Sequence, residues 1–150
     1  MTLNTASEIL ERLVWESNKK SESTVYIKFL QVLNKLKLRE FSKDEIESIE
    51  TAIDHLNLES NPENRKKYFK KSLSKFETYL MDTFSLTPRG YYTNRYSALG
   101  LSFGLLFGVA ILSNIERSLG ITIGLIGGLV VGSMIGRNKD AHLKDNDNML

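Results

Sequence analysis

The chain contains no cysteine, which excludes disulfides and thiolate metal centres and fits a reducing compartment. Proline occurs only at Pro62 and Pro88, so long stretches are free to be helical. The two histidines, His55 and His142, stand far apart, and no paired spacing brings further donors beside either. HExxH, phosphate-loop and GxSxG patterns are absent as well. The carboxylates Glu47, Glu50 and Asp54 read as an exposed acidic face. The expectation is a protein that is not an enzyme, with no catalytic residue, cofactor or metal. Net charge is only +2 and no recognition motif accompanies the cations, which speaks against a nucleic-acid partner. Residues 1–20 lack a cationic start followed by an apolar run, so no signal peptide is expected.

Charge is what the C-terminal third lacks most. Between Tyr96 and Gly136 only Glu116 and Arg117 are charged, although 25% of the whole chain is. They separate two apolar stretches, residues 96–115 and 118–136, each close to the roughly 20 helical residues that cross a bilayer core of roughly 30 Å. What these stretches do have is glycine at every fourth position. Gly100, Gly104 and Gly108 mark the first, and Gly120, Gly124, Gly128, Gly132 and Gly136 the second. A glycine inside a soluble helix costs about 1 kcal/mol against alanine, so this spacing needs a compensating gain. Lipid supplies one, because helices there associate through close van der Waals approach, which small residues permit.

An antiparallel hairpin with its turn centred on Glu116 brings the stripes into register. Gly100 then faces Gly132, Gly104 faces Gly128 and Gly108 faces Gly124, while Tyr96 meets Gly136 and Leu112 meets Gly120. The same stripes could instead join separate chains, and Gly127, outside the ladder, could serve a second contact. In its glycine stripe the C-terminal third resembles the glycine-zipper transmembrane hairpins of small bacterial membrane proteins. The resemblance implies a packing mode, homo-oligomers and a bacterial membrane, and it carries over no catalytic or ligand-binding residue.

Flanking cations set the expected orientation. Arg89 and Arg95 precede the first stretch and Arg137, Lys139 and Lys144 follow the second, against Arg117 alone in the turn, so both termini are expected in the cytoplasm. Tyr91, Tyr92 and Tyr96 stand where amphipathic rings settle among headgroups. The expected location is the bacterial inner membrane, with the bilayer itself as a partner.

The remainder reads as helical. Thr5 with Glu8, and Ser42 with Glu45, form capping-box patterns. Ile9, Leu10, Leu13 and Val14 make one apolar stripe, and Val25, Phe29, Val32, Leu33 and Leu36 a second. Ile46, Ile49, Ile53 and Leu56 make a third. Asn61 followed by Pro62 predicts the start of a last helix that stops near Phe84, before Thr87 and Pro88. That helix is amphipathic and basic: Lys66, Lys67, Lys70, Lys71 and Lys75 lie opposite Tyr68, Phe69, Leu73, Phe76, Tyr79, Leu80 and Phe84. These lysines lie either beside the acidic third helix or near anionic headgroups. Trp15 falls off the stripe of the first helix, as an edge-packing residue or a contact for an unidentified protein partner.

The expected fold is all-α: a small cytoplasmic four-helix domain over residues 1–86, a juxtamembrane linker over 87–95, an antiparallel two-helix transmembrane hairpin over 96–136, and a polar, disordered tail over 137–150. The expected function is a membrane-anchored interaction or regulatory module. The alternative is an oligomeric pore-forming or membrane-perturbing protein, against which stands the scatter of Ser102, Ser113, Thr122 and Ser133.

Overall fold

The computed structural model describes residues 1–110, 117–146 and 148–150. Among these, all regular structure is helical: α1 (Leu3–Glu16), α2 (Lys20–Lys37), α3 (Lys43–Asp54), α4 (Arg65–Phe84), α5 (Tyr91–Ala110) and α6 (Arg117–Asp145). The chain divides into two compact units, Met1–Leu86 with Leu150, and Thr87–Met149.

In the first unit, α1, α3 and α4 start at side-chain caps, though not always at the residues the sequence pattern suggests, while α2 starts after Lys19 without one. Ser42 and Glu45 cap α3 reciprocally, with the Glu45 carboxylate accepting from the Ser42 amide at 2.8 Å. Those bonds favour the ionised form and hold the Glu45 carboxyl below its ordinary range. At α1 the cap is Thr2, whose hydroxyl accepts from the Thr5 amide at 3.1 Å, so Thr5 lies inside the helix. The α4 cap is Asn64, which accepts from the Lys67 amide at 3.0 Å. Asn61, expected in that role, instead takes the Arg65 guanidinium at 2.6 and 2.8 Å. Ser85 ends α4 in the left-handed region at φ 56°, returning its amide to Met81.

The apolar stripes meet in one core. α1 packs on α2 and α2 on α4, while α3 touches α1 and α4. Tyr26 and Phe69 meet edge to face with centroids 4.9 Å apart, and Phe29 lies 5.7 Å from Phe76. Ile49, Ile53 and Leu56 are buried as the third stripe predicts, but Ile46 is partly exposed because α3 is short and touches its neighbours only lightly. Tyr26 is buried with its hydroxyl unpartnered, and burial raises its pKa. Glu77 is half-buried on α4; desolvation raises its pKa and the charge of Lys28 opposes the rise.

The second unit is an α5–α6 pair. α5 begins at Tyr91, ahead of the expected start at residue 96, which leaves residues 87–90 outside the helices. The tail expected to be disordered from residue 137 is helical to Asp145. Beyond the helix, the Asn148 carbonyl accepts from the Thr87 amide at 2.8 Å. Polar composition alone suggests disorder, but tertiary bonds made by this segment hold it in place. The expected turn at Glu116, and Leu112 opposite Gly120, lie outside the described residues. Among the described residues one helix is long and apolar enough to cross a membrane, Ser118–Asp145, and only 17% of its most apolar window is buried.

Candidate functional site

The interface between α5 and α6 is made of backbone. A methyl group added at Gly128 would collide with the Gly100 carbonyl and stand 2.9 Å from the Gly104 Cα. One at Gly104 would strike the Gly124 carbonyl and stand 3.1 Å from the Gly128 Cα, and one at Gly100 would meet the Gly128 carbonyl and lie 3.1 Å from the Gly132 Cα. A methyl at Gly108 would stand 2.6 Å from the Gly120 carbonyl oxygen, and one at Gly124 would stand 2.8 Å from the Gly108 Cα. At the other end a methyl at Gly132 would strike the Tyr96 carbonyl, and one at Gly136 would stand 2.6 Å from the Tyr92 carbonyl oxygen. Each central glycine is thus flanked by two glycines of the facing helix, where numbering alone suggests one. At such distances no residue but glycine fits without moving the backbone, and Cα–H groups face carbonyls across the seam.

Because glycine fills the inside, the large side chains point out. Phe103, Leu106, Phe107 and Met134 are each more than 60% exposed. Phe103, Phe107, Ile123, Val131 and Ile135 line an open apolar groove of about 510 Å³, with the seam glycines as its floor. Gly127 opens onto this groove with nothing within 4 Å of an added Cβ, so it takes no part in the seam. Among the described residues, several hydroxyls of the pair bond within it. Ser97 and Ser133 join across the seam at 2.9 Å, while Ser102 and Thr122 donate back to Ala98 and Ser118 carbonyls on their own helices.

One end of the pair is closed by a carboxylate that sequence reasoning missed. Gly90, just before α5, has no side chain with which to cap it and adopts φ +76°. Asp140, buried on α6, does so instead: its two oxygens accept from the Tyr92 amide at 3.1 Å and the Thr93 amide at 3.0 Å, and from the Thr93 hydroxyl at 2.6 Å. The Tyr91 and Asn94 amides bond the Pro88 and Gly90 carbonyls, so all four first-turn donors are satisfied. The carboxylate also sits at the positive end of the α5 dipole. A signal was present in the sequence, since Asp140 is the next step of the four-residue ladder after Gly136. Beside it, the Lys139 ammonium lies 5.2 Å from the Tyr96 ring centre and 5.7 Å from that of Tyr92, whose ring contacts Tyr91 edge to face.

No family model, curated protein or solved structure matches the chain. The functional reading therefore rests on the chemistry of the two units.

The other sequence-predicted residues lie in the first unit and do not converge. Lys66, Lys67, Lys70, Lys71 and Lys75 are all exposed along α4. Trp15 is 89% exposed near the end of α1, so it is not an edge-packing residue within this chain. Leu38, equally exposed after α2, was not singled out by the sequence pattern, because one exposed leucine at a helix end leaves no periodic trace. Among the described residues no group of three or more potential ligands clusters, and His55 serves as the C-cap of α3.

Proposed function

We propose that this chain is a membrane-anchored helical interaction or regulatory module that works without catalysis. The α5–α6 pair spans the bacterial inner membrane as a two-helix hairpin, and both termini stay in the cytoplasm. The observation that carries this reading is the inversion of the pair, with glycine inside and large apolar side chains outside. Soluble monomers rarely expose apolar patches beyond a few hundred Å², so such a surface calls for lipid or protein cover. Close glycine contact is also how helices associate where water does not drive them together. The excess of arginine and lysine at the ends of the hairpin supports the orientation. The helical domain then presents exposed residues such as Trp15 to a partner at the membrane surface, or serves self-assembly. The back-bonded hydroxyls of Ser102 and Thr122 leave little to line a water-filled pore, which favours anchoring over pore formation.

The test exploits the absence of native cysteine. Single-cysteine variants Glu47→Cys, Ser118→Cys and Ala141→Cys, expressed in bacterial cells, are exposed to a membrane-impermeant thiol reagent. Ser118→Cys should react in intact spheroplasts, and the other two only after the membrane is opened. Release of the chain by alkaline carbonate, or equal labelling of all three, would sink the anchoring reading.

A further inference from the structure

We propose that the basic face of α4 docks on the anionic lipid surface of the membrane. This inference rests on the anchoring reading and concerns what the helical domain does once it is held there.

Lys67, Lys70, Lys71, Ser74, Lys75 and Thr78 recur at helical spacing and line one open depression of about 530 Å³ on α4. The stripe cannot turn inward, because the opposite face of α4 is fixed in the core by Phe69, Leu73, Phe76 and Leu80. Nor is it neutralised from within. Among the described residues none of the four lysines forms an ion pair. Three of the five carboxylates of the acidic helix α3, the other candidate partner, are engaged elsewhere, and none of the five pairs with these lysines. Glu45 binds the Ser42 amide and hydroxyl, Glu50 accepts from the Leu3 amide, and Asp54 pairs with the Met1 ammonium at 2.8 Å. A row of cations with no internal counter-charge complements an extended anionic surface.

The chemistry of the stripe favours lipid over nucleic acid. Single strands are held by aromatic platforms on which bases stack, and this stripe carries only lysines and two hydroxyl residues. Headgroups ask for cations alone. The tether strengthens the case: Phe84 ends α4 and Tyr91 opens α5, and the chain joining them reaches at most about 25 Å. With α5 in the bilayer, a weak attraction becomes an intramolecular one at high effective concentration.

The full-length chain carrying Ser74→Cys, labelled with an environment-sensitive fluorophore, is reconstituted into vesicles of phosphatidylcholine alone or mixed with phosphatidylglycerol. The emission should shift to the blue, and be quenched by a headgroup-linked quencher, only where phosphatidylglycerol is present. The response should vanish in salt that shortens the Debye length to about 3 Å. Replacing Lys67, Lys70, Lys71 and Lys75 with glutamine should weaken it by roughly tenfold or more, with helix content unchanged by circular dichroism. Identical emission in both vesicle types overturns the proposal, and so does a shift produced in neutral vesicles by a single-stranded oligonucleotide. Flotation with neutral vesicles reports anchoring separately. If anchoring fails there, docking is read as flotation with phosphatidylglycerol vesicles alone, which the four-lysine variant must lose.

Discussion

In the helical domain, Trp15 apart, large side chains fill the centre: Tyr26, Phe29, Phe69 and Phe76 are fully buried. In the α5–α6 pair the order is reversed, with Gly104, Gly108, Gly132 and Gly136 buried and Phe103 and Phe107 facing out. Both units are helices packed on helices, yet they use opposite ends of the side-chain size scale. Where water is the solvent, burying large apolar groups is the main gain and glycine is a liability. Where apolar surroundings leave nothing to gain by burying leucine or phenylalanine, contact distance becomes the gain and glycine is the best residue available. On the anchoring reading proposed above, the reversal follows from a difference of solvent between the two units.

Substitutions that cross the two rules should separate them. Phe69→Ala removes a ring from the centre of the domain and should cost about 3–5 kcal/mol. Hydrogen exchange of α4 amides in the full-length chain should accelerate accordingly, with α5 and α6 unaffected. Gly128→Ala adds one methyl where the Gly100 carbonyl stands and should cost about 1–3 kcal/mol, despite the better helix propensity of alanine. The control is Gly127→Ala, where the added methyl meets open space, and α5 exchange should stay unchanged. Equal effects at Gly127 and Gly128 would break the comparison.

The smallest effect concerns charge within the domain. Burial raises the Glu77 pKa, so the fold favours its protonated form; the resulting stability is present at low pH and is lost as pH rises through the folded pKa. Glu77→Gln should therefore stabilise the domain at neutral pH, by less than about 1 kcal/mol after solvent screening, and the advantage should disappear under acid conditions. Exchange of α4 amides across a pH series, corrected for intrinsic rates, measures both limits.

Legibility in the sequence followed the range of the interaction. The Ser42–Glu45 cap and the burial of Ile49 and Ile53 depend on neighbours within a turn or on periodicity, and both can be read directly. Competition between equivalent local caps was harder, since Thr2 and Thr5, or Asn61 and Asn64, are both good candidates and one turn decides between them. The end of α6 cannot be read from composition, because the contacts it makes lie far away in sequence. Asp140 sits in a polar segment with little apolar content, and its bonds to Tyr92 and Thr93 join that segment to α5. The exposure of Trp15 was beyond reach in the same way, since a residue off a stripe can be covered by any neighbour that the fold supplies.

The Asp140 carboxylate also gives the helix pair a direction in time. α5 leaves the ribosome before its cap exists, because Thr93 and Asp140 are 47 residues apart, about 2–9 s of synthesis at typical rates. Throughout that interval the Tyr92 and Thr93 amides lack the carboxylate that caps them in the folded chain. Closure waits for the far end of α6, so the first turn of the pair to be made is the last to be sealed.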